Sequence, residues 1–169
     1  MPNTTPIPEL IADEIVDRLE AIAIDDGYAF DVAFVTRSNR LGTNFRPQAH
    51  GMLVMLGDNQ RNDEMDHPGN PPAIAYDLTV MVKCFANAGV SETGSHNTRS
   101  NEMVAAAMKA ITNPTVSPST WYTLGGNAIN TEFGDVEYFS ATEGDHAGAS
   151  LPLIVTYRIS ETDPFTVRA

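Results

Sequence analysis

The chain has 169 residues, of which 42% are hydrophobic and 19% are charged, so it is long enough for one domain with a sizeable core. No uncharged apolar run approaches the roughly 20 residues of a membrane-spanning helix, which excludes a helical membrane protein. The 10 Lys and Arg against 22 Asp and Glu give a formal charge of -12, which disfavours a protein that wraps or grips nucleic acid.

The N-terminal region predicts one amphipathic helix. The first ten residues hold three prolines and no Lys or Arg, so we expect no secretory signal there. Between Pro8 and Ile24, apolar residues recur every three to four positions while acidic residues occupy the opposite side, which is typical of a surface helix. Pro8 suits a first helical turn, and Gly27 follows as a terminator. We expect the apolar side to pack in the core.

Three segments that follow have strand patterns. Residues 28–35 alternate between apolar side chains and small or polar ones. Residues 51–56 form a continuous apolar run that is typical of a strand buried on both faces, and residues 73–86 alternate again. We expect the last two to pair as a wide hairpin whose connection, Asp58 to Pro72, is a polar loop without apolar periodicity.

The second half of the chain adds one helix and two strands. A helix is predicted from about Ser100 to Ile111, because its apolar residues lie on one side and the following Asn-Pro pair disfavours helix. Strands are predicted over residues 128–139, with a bulge at Gly134, and over residues 151–161. The order predicts one α+β domain over residues 1–169: an antiparallel-rich sheet of about five strands with two helices packed on one face.

A search for chemistry-bearing motifs gives no catalytic residue, no cofactor site and no metal site. Residues 89–95 have the glycine spacing of a phosphate loop but lack the lysine that should follow the second glycine. The four histidines are scattered without ligand spacing. Cys84 is the only cysteine, which excludes a disulfide framework, and it lies in a strand pattern without a local histidine. We therefore expect that the protein is not an enzyme.

Two polar segments of opposite charge are the candidate contact regions. Residues 36–47 carry three arginines, Arg37, Arg40 and Arg46. The segment from Asp58 to Pro72 carries, besides Asp58, a cluster of three acidic residues, Asp63, Glu64 and Asp66. Both are compatible with ordinary solvated loops, and both are compatible with complementary patches between neighbouring subunits.

Several short motifs occur in a characteristic order along nearly the whole chain. They are an Ile-Ala-Asp-Glu-Ile-Val-Asp-Arg-Leu helix, Asp-Gly-Tyr before a strand, Met-Leu-Val-Met-Leu-Gly before an acidic loop, a strand from Tyr76 to Phe85, an Asn-Glu-Met-Val-Ala-Ala-Ala-Met-Lys-Ala-Ile helix, and a Val-Thr-Tyr-Arg-Ile strand that leads to Asp163 and Pro164. In this order the chain resembles the tail terminator and tail completion proteins of long-tailed bacteriophages, also described as minor tail or neck proteins.

The resemblance implies a small α+β subunit that assembles into a six-membered ring, ends polymerisation of the tail tube, and contacts the head-side connector. It implies assembly in the host cytoplasm and a final place in the virion, with no membrane contact. It points to interface residues only by region: Arg37, Arg40, Arg46, Asp63, Glu64, Asp66 and Asp163. An acidic ring would repel DNA, which suits a conduit through which DNA passes without specific binding.

Three alternatives stay open at this stage. Within the same class, a head-closure or adaptor neck protein has a similar build and also forms rings. In a different class, a metal-dependent hydrolase would use the loop from Asp63 to His67, because carboxylates bind hard cations. A monomeric ligand-binding module is the third alternative, although the sequence shows no concentrated aromatic or polar pocket signature.

Overall fold

The computed structural model describes residues 4–37, 50–87, 96–112, 120–139 and 146–167. In this part of the chain, two α-helices and three short 3-10 turns accompany a sheet of seven strands. The helices are α1 (Ile7–Glu20) and α2 (His96–Ile111). The strands are β1 (Phe34–Arg37), β2 (Gly51–Arg61), β3 (Ala73–Asn87), β4 (Asn130–Phe133), β5 (Glu137–Phe139), β6 (His146–Ser160) and β7 (Asp163–Val167).

The sheet is mixed but mostly antiparallel. Its main strand order is β1-β2-β3-β6-β4, and β5 and β7 also pair with β6. Only β1 runs parallel to its neighbour among the strand pairs of the described residues. The prediction of an antiparallel-rich α+β fold is confirmed, whereas the prediction of about five strands was too low.

The two additional strands come from segments whose strand boundaries were not predicted from the sequence. Residues 128–139, predicted as one strand, form β4 and β5 with a break at residues 134–136. A Cβ on Gly134 would lie 2.9 Å from Cγ of Pro152, so the chain approaches β6 closely at this break. Strand β7 at the C-terminal end was not predicted, and it folds back on β6.

The predicted hairpin of β2 and β3 is confirmed, but its strands are longer than expected. Pairing continues past Leu56 through an irregularity and resumes with Asn59 opposite Leu78 and Arg61 opposite Tyr76. The prediction of a loop from Asp58 to Pro72 was therefore wrong over its first four residues. A bulge interrupts the backbone pairing for a short stretch without ending the strand, so β2 continues through Gly57 and the polar residues that follow it.

The strand predicted over residues 28–35 was largely wrong. Only Phe34–Arg37 form β1, although Phe30 is buried and Val32 packs against the core. The backbone N–H of Val32 donates to the carbonyl of Ile22, 3.0 Å away, so this segment runs beside the end of α1. Alternating burial therefore arises here from packing against the buried cluster that helices and strands share, and only the last residues of the segment pair in the sheet.

Both helices lie on the same face of the sheet. Helix α1 begins one residue before Pro8 and ends at Glu20, short of the predicted end at Ile24, and α2 begins about one turn before Ser100. Alternate strand residues and the apolar sides of both helices form one buried cluster: Ile11, Ile15, Leu19, Met103, Ala107, Ile111, Met52, Val54, Val80, Val82, Cys84, Leu151, Leu153 and Val155, among others. No helix in the described residues is long and apolar enough to cross a membrane.

A buried arginine joins α1, α2 and the segment that precedes β4. The guanidinium of Arg18 donates to the carbonyl oxygens of Ile111 at 2.5 Å and Trp121 at 3.0 Å. Its Nε donates to Glu14 one turn earlier, at 2.8 Å. Because the last carbonyls of a helix lack intrahelical partners, Arg18 serves as a side-chain cap for the C-terminus of α2.

Candidate interaction surface

Arg37 is engaged within its own chain. The side chain, at the end of β1, pairs with Glu9 and, at 2.6 Å, with Asp13, both on α1. Partial burial lowers the pKa of the guanidinium, but the hydrogen bonds to the two carboxylates outweigh it, so the pKa lies above its ordinary value. Arg37 thus ties the edge strand to α1, and its charge is already balanced. Arg40 and Arg46 lie outside the described residues.

Two members of the predicted acidic cluster, Asp63 and Asp66, share one arginine of their own chain. Asp63 and Asp66 both bind Arg61, at 2.6 and 2.7 Å, and Asp66 also accepts a hydrogen bond from the backbone N–H of Ala75 at 2.8 Å. That backbone hydrogen bond, together with the one from Arg61, holds the pKa of Asp66 below its ordinary value. Glu64 is exposed on the 3-10 turn between them. These contacts fasten the tip of the β2–β3 hairpin.

Asp163, the last predicted interface residue, makes local hydrogen bonds at the start of β7. One carboxylate oxygen accepts from the backbone N–H of Phe165 at 3.0 Å, and the other accepts from the hydroxyl of Thr166 at 2.5 Å. A carboxylate that accepts hydrogen bonds two and three residues ahead forms a local turn. Asp163 therefore makes local structural contacts. Its cross-strand partner Ser160 pairs in turn with Ala73, so Asp163 lies at the same end of the sheet as the tip of the β2–β3 hairpin.

The features expected of a catalytic or metal site do not come together in the described part of the chain. No group of three His, Cys, Asp or Glu side chains there is placed to hold a metal ion. Cys84 is fully buried in the helix-side cluster, and burial raises the pKa of its thiol to about 12. A thiol in that state is a small apolar core group, because the thiolate is the reactive form.

The face of the sheet opposite the helices is the surface that sequence reasoning missed. The β3 residues between Val80, Val82 and Cys84 project away from the helix-side cluster because successive strand side chains alternate. No α-helix of the described residues covers this face. Among its residues, Leu53 and Phe85 are buried, whereas Met55, Met81, Lys83 and Pro152 are half-buried and Ile154 is 45% exposed.

At one end of this face, aromatic rings lie over glycines. The register aligns five residues across five strands in the order Phe34, Gly51, Phe85, Gly148 and Phe139. A Cβ on Gly51 would lie 2.0 Å from Cζ of Phe34, so the ring occupies the space above that glycine. The rings of Phe85 and Phe139 lie 5.9 Å apart. This row closes one end of the uncovered face with apolar packing.

Lys83 stands next to this row and has no partner of its own among the described residues. Its register neighbours are Leu53 and Ser150. Every other Lys or Arg side chain in the described ranges binds a carboxylate or a backbone carbonyl of the same chain: Arg18, Arg37, Arg61, Arg99, Lys109 and Arg158. We name the group of Met55, Met81, Lys83, Pro152 and Ile154 the Lys83 patch.

One signal in the sequence indicates the Lys83 patch. Strand β6 carries apolar residues on both sides between Leu151 and Val155, and the run from Met52 to Leu56 does the same. A strand that is apolar on both sides predicts cover on both faces. The structure supplies helices for one face only within the described ranges, so the other apolar set is left partly exposed.

Comparison with known proteins adds no relative. No protein-family model matches the chain, and no curated protein sequence is significantly similar to it.

Proposed function

We propose that the protein is a structural virion component of a long-tailed bacteriophage, which forms a ring that ends tail-tube polymerisation and joins the tail to the head-side connector. The motif order along the chain supports this proposal. The single structural observation that favours it is the Lys83 patch, because a partly exposed apolar face on a small domain is typical of a surface that binds other protein subunits.

The charge of the chain agrees with a conduit for DNA. A ring of six copies would carry six times the formal charge of -12, so its average potential would repel the phosphate backbone. In the described residues, six of the cations are bound within their own chain, and Lys83 lies on a largely apolar face. DNA would pass such a ring without specific binding. Assembly would take place in the host cytoplasm, with the virion as the final location.

The alternatives differ in how well the contacts support them. A head-closure neck protein would use the same type of surface, so it is separated from a terminator only by the partner that it binds. A hydrolase in the loop from Asp63 to His67 has no supporting observation, because the carboxylates of Asp63 and Asp66 are hydrogen-bonded to Arg61 at the hairpin tip.

Native mass spectrometry tests the proposal. The purified chain is measured alone and then mixed with a tail-tube protein or with a head-side connector protein, at near-physiological salt. A ring of the 18.3 kDa subunit, alone or only with tube protein, is expected for a terminator. A ring that binds only the connector protein identifies a head-closure protein. A chain that stays monomeric with both partners contradicts the proposal.

A further inference from the structure

We infer that the Lys83 patch is the acceptor half of a contact between two copies of this chain, and that the donor half is the turn Ile24–Asp26 of the neighbouring copy. The inference rests on the proposed function, since it names the surfaces by which ring subunits would meet. It follows from two features of the part of the chain that the structure describes: a cation without a counter-charge among apolar side chains, and an exposed apolar side chain next to two carboxylates.

The acceptor half combines apolar surface with an ammonium group, that of Lys83, which has no partner among the described residues. Ile154 is 45% exposed on the face opposite the helices. Half-buried Met81 is its diagonal neighbour, and half-buried Lys83 lies two residues further along β3, on the same side of that strand. An apolar surface gains free energy when another apolar group removes it from water. A lysine that loses water in the same contact requires an opposite charge, because a buried unpaired ammonium is costly. The fitting occupant therefore presents an apolar side chain with an adjacent carboxylate.

The turn Ile24–Asp26 has that composition. Ile24 is 56% exposed, the highest value among the large exposed hydrophobic side chains in the described ranges. Asp25 and Asp26 follow it and are both exposed. Neither carboxylate accepts a hydrogen bond or pairs with a cation in the part of the chain that the structure describes. The backbone of the turn is fixed, since the N–H of Ile24 donates to Asp31 at 2.7 Å and Gly27 closes it with φ +79.

The two halves lie on different parts of the molecule. The turn follows α1, which packs on one face of the sheet, whereas the Lys83 patch lies on the opposite face. A contact between two different surfaces is heterologous, so each copy keeps a free donor turn and a free acceptor patch after one contact forms. Repetition of such a contact produces a closed ring or an open filament, which agrees with a ring-forming subunit.

The experiment uses two charge-reversed variants of the full chain, Lys83→Glu and the pair Asp25→Lys with Asp26→Lys. Each variant alone should associate about tenfold more weakly than the wild type, because every contact then opposes like charges. An equimolar mixture should regain assembly, because every contact between the two different variants joins opposite charges: either the wild-type combination of lysine and aspartates or the fully reversed combination. Ile154→Ser should also weaken association without a charge change, and Asn101→Glu, on the exposed side of α2, should leave it unchanged.

Sedimentation velocity and native mass spectrometry, with tube protein present if the wild type requires it, give the result. Circular dichroism first establishes that each variant is folded. Restoration in the mixture supports the inference. If the wild type forms rings and neither Lys83→Glu nor Ile154→Ser changes their formation, the inference is overturned and the proposed function is not. Weakening by both charge variants without restoration overturns the choice of the turn as donor. A wild-type chain that never self-associates overturns both.

Discussion

The ring of Phe139 lies directly over Gly148, in the space that a side chain at that position would fill. A Cβ on Gly148 would come within 2.5 Å of the Phe139 ring and within 2.2 Å of the carbonyl oxygen of Cys84. The two residues are cross-strand partners in β5 and β6. An aromatic ring that covers a glycine on a neighbouring strand buries apolar surface that the glycine cannot cover itself. This pair therefore fixes the position of the short strand β5 on the sheet.

Gly148→Ala should destabilise the fold by about 1–3 kcal/mol, because the added methyl group meets backbone as well as a ring. Urea denaturation followed by circular dichroism measures the change. Gly69→Ala is the matched control, since its nearest contact would be the carbonyl oxygen of Pro71 at 3.3 Å, a much longer distance than at Gly148, and it should change the free energy of unfolding by less than Gly148→Ala does. Equal effects of the two substitutions would contradict the packing described here.

Arg37 should couple to Asp13 within one chain. A double-mutant cycle with Arg37→Gln and Asp13→Asn should give a coupling free energy of about 0.5–1 kcal/mol, because the pair is partly exposed. The coupling should decrease with added salt, since screening weakens exposed ion pairs. The cycle is measured by urea denaturation at a concentration where the chain is monomeric. If no coupling is measured in the monomeric chain, Arg37 would again be a candidate for contacts between subunits.

Asp66 should make stability depend on acid pH. Its pKa in the folded chain lies below the ordinary value of 3.8, so the charged carboxylate stabilises the fold at neutral pH, and this contribution is lost as the pH falls through the lower folded value. Asp66→Asn should lower the urea midpoint at pH 7, and the difference from wild type should shrink below pH 3.8. The neighbouring Glu64→Gln is the control, with little change at either pH. A deficit of Asp66→Asn that stays constant with pH would exclude a charge effect.

Among the Lys and Arg residues that the structure describes, substitution of Arg18 should reduce the stability of the fold most. It is only 7% exposed and bridges the end of α2 to the 3-10 turn at Trp121. Arg18→Met keeps much of the apolar stem but leaves two carbonyls without their donor, so we expect a loss of about 2–4 kcal/mol. Thermal denaturation compares it with Arg99→Met on the partly exposed pair with Glu102, which should cost less than about 1 kcal/mol. Similar melting temperatures for both variants would contradict the bridging role.

The spacing of apolar residues correctly predicted the buried side of those elements that are regular along their whole length. The apolar stripe of α1 and the alternation of β3 both gave the correct buried side, because helical and strand side chains repeat at fixed periods. The same rule failed for residues 28–35, since alternating burial arises equally when an extended segment packs against a helix. It also failed at Asn59, which continues β2 after the bulge. The side chain of Asn59 donates to the hydroxyl of Tyr157 at 2.8 Å, and these two residues are 98 positions apart along the chain.

For the candidate contact residues as well, the sequence predicted only part of what the structure shows. Charge in the sequence indicated Arg37, Asp63 and Asp66, but it did not show that each is balanced by a partner in its own chain. Lys83 was visible only as the polar member of an alternating strand.

By itself, the sequence predicted the mostly antiparallel α+β class and the buried side of the main elements, because the type and periodicity of each element depend on residues that are near neighbours along the chain. Only the tertiary structure decided that β1 runs parallel to β2, that rings cover Gly51 and Gly148, and that Lys83 lacks a counter-charge among the described residues. These features depend on which distant segments meet, and no local pattern of residues encodes those distances.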